Sequence, residues 1–210
     1  MASTLLFSLL LLLSISLFPF IIHGAKENDH KHKHKHKHKH YTLIQKTCKL
    51  MSAKKEYDID YDFCISALQA RPASECATLM RIGWTTIELV ISNVTDTRRH
   101  IGAVLKSGKV QPWVRRCVRE CYALYDSAVI QAKRLLRDYM HKDYLGAEYQ
   151  VAGIDNPAGI CSLLFEEGSQ DMPIPGCGGG VSPFSARNNN AIQLSGMVMF
   201  VLRLLQGTLH

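Results

Sequence analysis

Cys121 and Cys161 lie deep inside two long stretches whose apolar residues recur with helical spacing, while Cys48 and Cys64 flank a short polar insertion near residue 55. Cysteines on the buried faces of helices constrain a chain more than any propensity does, because a bridge forms only between elements that pack side by side. In the clearer stretch, Val114, Cys117, Val118, Cys121, Leu124, Tyr125, Ala128, Ala132, Leu135, Leu136 and Tyr139 fall on one helical face. Arg115, Arg116, Arg119, Asp126, Lys133, Arg134 and Arg137 fall on the other, which is the signature of an amphipathic surface helix. Pro112 suits its first turn, so the helix begins near Gln111.

The remaining elements follow from the same reading. Leu43 to Met51 and Phe63 to Ala70 form a helical hairpin around the polar insertion Ser52 to Asp62, and Pro72 closes it. Ser74 and Glu75 open a long helix carrying Leu79, Ile82, Ile87, Val90, Val94, Ile101 and Leu105, with its stop between Gly102 and Gly108. A third long helix carries Ala147, Val151, Ile154, Ala158, Cys161, Leu164 and Phe165, with a kink expected at Pro157, which removes a backbone donor and crowds the carbonyl of Gly153. A Gly/Pro-rich loop, Gly168 to Pro183, leads to a last helix with Leu194, Met197, Val198, Val201, Leu204 and Leu205 inward. The expected fold is all-α: an antiparallel up-and-down four-helix bundle over residues 73–210, preceded by a hairpin over residues 41–72 and held by disulfides.

The hairpin brings Cys48 and Cys64 together. At a rise of 1.5 Å per residue, Cys121 and Cys161 lie about 15 Å and about 9 Å from one end of the bundle, so they can face each other with a modest offset. Cys117 sits one turn above Cys121, and Cys177 is in the loop at that end, which makes a further pair between them possible. Cys76 is left over, as a buried thiol, a partner for the hairpin or an intermolecular link.

The N-terminus sets the compartment. Leu5 to Ile22 is an almost unbroken apolar run without charge, followed by the small residues Gly24 and Ala25, which reads as a signal peptide over residues 1–24. A signal anchor is the competing reading, because the n-region has no Lys or Arg and the segment after the run is Lys-rich. Seven cysteines and the sequon Asn93-Val94-Thr95, a glycosylation acceptor only after translocation, favour secretion with no span left after cleavage.

Residues 25–40 form a His/Lys-rich tail in which His30, His32, His34, His36, His38 and His40 alternate with lysines. Such alternation buries nothing, so disorder is expected. Near pH 5 to 6 the imidazoles gain protons and make the tail a polycation suited to an anionic pectin; when neutral they bind Zn, Cu or Ni loosely. Without its five lysines the formal charge of +7 falls to about +2, too little to argue for nucleic acid as a partner.

Catalysis has no foothold. The folded region offers only His100, His141 and His210, none in a motif context, and a nucleophile needs an oriented base beside it. Gly178-Gly179-Gly180 follows no strand and opens no helix, and the adjacent Glu166 and Glu167 do not converge on one substrate. No cofactor is implied.

The runs Gln45-Lys46-Thr47-Cys48-Lys49, Asp60-Tyr61-Asp62-Phe63-Cys64-Ile65-Ser66-Ala67-Leu68, Cys121-Tyr122-Ala123-Leu124-Tyr125-Asp126-Ser127-Ala128 and Cys161-Ser162-Leu163-Leu164-Phe165 resemble the plant invertase and pectin methylesterase inhibitor family. The likeness spans nearly all of residues 43–206 and is nearest to the pollen-allergen branch of invertase inhibitors. The resemblance implies a hairpin and four-helix bundle, disulfides Cys48–Cys64 and Cys121–Cys161, and a secreted inhibitor of the plant cell wall acting by stoichiometric docking on pectin methylesterase. Cell-wall or vacuolar invertase is the second target it implies. Invertase-blocking members carry a Pro-Lys-Phe triplet near the start of the third bundle helix, where this chain has Lys142-Asp143-Tyr144 as candidate contacts. A non-inhibitory wall protein that binds polyanions or metal through the tail is the rival from another class.

Overall fold

A computed structural model describes residues 43–166, 177 and 180–208; the expected signal peptide and His/Lys tail lie outside the described residues. The chain enters through helix α1 over residues 43–53, a 3-10 turn at Lys55–Tyr57 and helix α2, Tyr61–Gln69. Asp60 has extended backbone, and its side chain accepts from the Phe63 amide at 2.7 Å, satisfying one of the free N–H groups that every helix start exposes. A disulfide joins Cys48 to Cys64 across this hairpin.

Four long helices follow: α3, Leu79–Lys106; α4, Pro112–Met140; α5, Tyr144–Leu163; and α6, Ser185–Gln206. Helix α3 starts later than the sequence suggests. Residues Ala73–Cys76 form a separate 3-10 turn, and the extended backbone of Thr78 breaks the path before its hydroxyl accepts from the Arg81 amide at 3.2 Å. Gly102 is internal to the helix, whereas Gly108, in the left-handed region at φ 69°, lies just past its end. Helix α5 runs through Pro157 without a break.

Specific contacts fix the topology. Arg98 reaches Asp126, Cys121 is bonded to Cys161, Asn188 reaches Ser162, and His100 stands edge-on to Phe184. Consecutive helices are therefore antiparallel, and α6 closes the square against α3. The core comes from the stripes read in the sequence, including Ile82, Val90, Tyr125, Leu135, Ile154 and Val198. At Gly83 a Cβ would collide with Tyr139 and Val201, so glycine there permits α3, α4 and α6 to approach closely.

Three disulfides hold the fold: Cys48–Cys64, Cys117–Cys177 and Cys121–Cys161. Cys76 is a free buried thiol, and burial pushes its pKa up, as expected of an inert structural cysteine. Among the described residues no helix is long and apolar enough to cross a membrane.

Candidate functional site

Helix α5 departs from the pattern of a surface helix. Its inner face buries Ala147, Val151, Ile154, Ala158 and Cys161. Its outer face presents Leu145, Tyr149, Ala152, Asn156, Ile160 and Leu163 to solvent, at spacings of three or four residues that place them in one stripe. Leu145 is 77% exposed and Tyr149 76%. A helix that is apolar all round is normally covered on every side, whereas here the outer stripe, polar only at Asn156, is left open to solvent.

The only charged side chains within α5 stand off this stripe. Glu148 accepts from Gln206 Nε2 at 2.9 Å, which ties it to α6. Asp155 is half-buried, and burial alone raises its carboxyl pKa above the ordinary value. Asp155 opens into a cleft of about 400 Å³ between α5, α6 and the Lys55–Tyr57 turn, and Ala152 and Asn156 belong to both cleft and stripe. On the far wall Arg203 Nη1 donates to the Tyr57 hydroxyl at 2.9 Å, and its guanidinium lies over that ring. Ser195 Oγ also lines the cleft and is buried without a hydrogen-bond partner among the described residues.

The α4–α5 turn carries the stripe at its upper end. Asp138 is buried and accepts from Arg137 and, at 3.0 Å, from Gln150 Nε2, so the turn is braced from both helices. Lys142 takes the left-handed backbone that reverses the chain, with φ 59°. Asp143 caps α5 by accepting from the Gly146 amide at 2.9 Å. Tyr144 turns inward and stacks at a tilt on Tyr139, with centroids 6.0 Å apart. Of the triplet singled out in the sequence, only Lys142 and Asp143 are thus exposed, while Met140 and Leu145 offer the large apolar groups around them.

The other sequence candidates fall elsewhere. Asn93 sits in the middle of α3, with its Oδ1 shielded from solvent and unpartnered among the described residues. The tail histidines lie outside the described residues, and the described ones contain no group of three or more His, Cys, Asp or Glu poised to hold a metal. His100 and His141 are exposed; the His100 ring stands edge-on to Phe184, and His141 Nδ1 is engaged by the Arg137 carbonyl at 2.7 Å. The reading from sequence missed the α5 stripe, although a second apolar period at Leu145, Tyr149, Ala152, Ile160 and Leu163 was there to be seen.

Comparison with known proteins gives this face a context. The description "Plant invertase/pectin methylesterase inhibitor" belongs to the family whose model matches residues 42–197. A protein of Platanus acerifolia named "Putative invertase inhibitor" is 30% identical over 78% of this chain and 85% of its own length. A protein of the same name from Platanus orientalis is 29% identical over 78% of this chain and 89% of its own length. Among solved structures, a mutant form of a pectin methylesterase inhibitor from Arabidopsis superposes with a TM-score of 0.54 at 17% identity, covering 69% of this chain and 89% of that one.

Proposed function

Because the chain belongs to the plant invertase/pectin methylesterase inhibitor family, we propose that it is a secreted, non-catalytic protein that silences a carbohydrate-active enzyme of the cell wall by docking on it one to one. The observation that carries this reading is the uncharged, solvent-facing stripe of α5 beginning at Leu145 and Tyr149. From Leu145 to Leu163 it extends roughly 27 Å, at 1.5 Å per residue, enough to lie across a substrate cleft. Large apolar and aromatic side chains at the centre of an interface contribute most of the affinity there, with a polar rim that excludes water. Lys142 and Asp143 form one end of that rim, beside the exposed Met140. Inhibition in this mode needs no chemistry from the inhibitor: occupying the cleft keeps the polymer out.

Pectin methylesterase is the first target. Lys142-Asp143-Tyr144 replaces the triplet that the family's invertase blockers use as a plug, and Tyr144 is turned toward Tyr139 rather than outward. Invertase is the second reading, favoured by the names of the two Platanus relatives. Titrating residual activity of each enzyme near pH 5 with the purified protein separates them. Complete loss at a one-to-one ratio with one enzyme names the target; full activity of both at excess inhibitor overturns the inhibitor reading and favours a wall protein acting through its tail.

A further inference from the structure

Helices α3 and α4 meet along a groove of about 460 Å³ whose lining includes Thr95, Arg98, Arg99, Gly102, Lys106 and Tyr122. Arg98 Nε donates to Asp126 Oδ1 at 2.6 Å, and its guanidinium lies over the Tyr122 ring, 5.0 Å from the centroid. A Cβ on Gly102 would stand 3.2 Å from Tyr122 Cε2, so the ring occupies space that any larger residue would contest. Glycine weakens a helix interior, and its presence here serves that close approach.

These contacts also fix the register of the two antiparallel helices. Continued past the groove, the same register sets Arg119 level with Leu105 and Lys106, while Arg115, near the start of α4, and Lys109, in the connecting turn, stand at that end of the helix pair. Arg115, Arg119, Tyr122 and Asp126 recur at spacings of four, three and four, so they share one stripe of α4. Between residues 97 and 125 the chain carries seven lysines and arginines and a single carboxylate, Glu120. Arg98 is paired with Asp126 and Arg99 with Asp96, whereas no ion pair among the described residues engages Lys106, Lys109, Arg115 or Arg119.

We propose that this groove and the cations at its turn end bind an acidic polysaccharide of the polyuronate type, laid along α3 and α4 with its carboxylates between Lys106, Arg119, Lys109 and Arg115 and a sugar ring against the edge of Tyr122 and the stem of Arg98. From Arg98 to Lys106 the helix rises roughly 12 Å, and Lys109 lies beyond its end in the turn, a spread that suits a chain of carboxylates better than one small anion. Tyr122 and the stem of Arg98 supply the apolar floor that a sugar ring uses and a bare charge does not. The choice of a uronate polymer rests on the reading above that the target acts on pectin, whose de-esterification leaves carboxylates; the charge of the groove does not depend on it. Helix α3 packs on α4 and α6 and lies diagonal to α5, so the groove and the enzyme-facing stripe are separate surfaces.

The test is binding of polygalacturonate to the full mature chain at pH 7 and about 0.15 M salt, without any enzyme present, in a background where Lys31, Lys33, Lys35, Lys37 and Lys39 are replaced by Gln. The proposal predicts retained binding in that background and at least a tenfold loss in K106E/R119E. K133E/R134E, an equal charge change about 20 Å further along α4, should bind as the parent does. Equal losses in both pairs, no loss in K106E/R119E, no binding once the tail lysines are gone, or polyglutamate bound as tightly as polygalacturonate each overturn it. Inhibition by K106E/R119E is measured in parallel and should be unchanged, so failure here is distinct from failure of the inhibitor reading.

Discussion

Tyr125 of α4 donates its buried hydroxyl to Asn188 Oδ1 of α6 at 2.7 Å, and Asn188 Nδ2 donates in turn to Ser162 Oγ of α5 at 2.8 Å. One chain of hydrogen bonds therefore joins three helices through the core. Burial raises the Tyr125 phenol well above its ordinary pKa. Replacing Tyr125 by Phe leaves a buried acceptor unpaired, which costs about 1–3 kcal/mol. Urea unfolding of Tyr125→Phe should show that loss, and a change under about 0.5 kcal/mol, the range of ordinary surface substitutions, would mean the bond is absent in solution.

Asp155 makes stability depend on pH. Its carboxyl pKa is raised by burial, so the folded protein holds that proton more tightly than the unfolded chain does. The resulting stability is fully present below the ordinary carboxylate range and is lost as pH rises through the raised value. Asp155→Asn should accordingly raise the melting temperature at pH 7 and leave it unchanged at pH 3. Thermal melts across that range check the sign; an advantage that stays constant with pH contradicts it.

The disulfides differ in the length of chain they close. Cys48–Cys64 spans 16 residues and Cys121–Cys161 spans 40. Loop-closure entropy assigns them about 3 and about 4 kcal/mol. Made in a Cys117→Ser/Cys177→Ser background, so that the outer bridge does not already shorten the second loop, the paired serine variants Cys48→Ser/Cys64→Ser and Cys121→Ser/Cys161→Ser should show the smaller and the larger loss respectively by denaturant titration. The reverse order would assign the hairpin a larger part in stability than its loop length provides.

Sequence alone was enough for the parts of this fold that rest on one strong period. The stripe from Val114 to Tyr139 and Pro112 at its start sufficed for α4, while the pairs Cys48–Cys64 and Cys121–Cys161 were what the family resemblance implied and the helical spacing allowed. What it hid depends on competition between neighbours. Ser74 and Glu75 look like a helix start, yet Thr78 is the residue whose extended backbone and hydroxyl cap α3. Nothing local in the sequence marks Asn188 and Asp138 as buried, because their partners, Tyr125 and Gln150, lie on other helices. The α5 face was masked for a different reason: a helix apolar on both sides invites the eye to the side that holds the cysteine.

The most direct test of the account places the charge where the stripe is most exposed. Leu145 and Tyr149 touch solvent rather than core, so Leu145→Asp/Tyr149→Asp should keep the parent's stability within about 0.5 kcal/mol. Titrated against the enzyme that the parent inhibits one to one, the double variant should lose affinity by at least a hundredfold, as replacing two large apolar anchors of a docking face by carboxylates does. Inhibition at the parent's affinity by this folded variant would contradict the claim that α5 is the face laid on the enzyme.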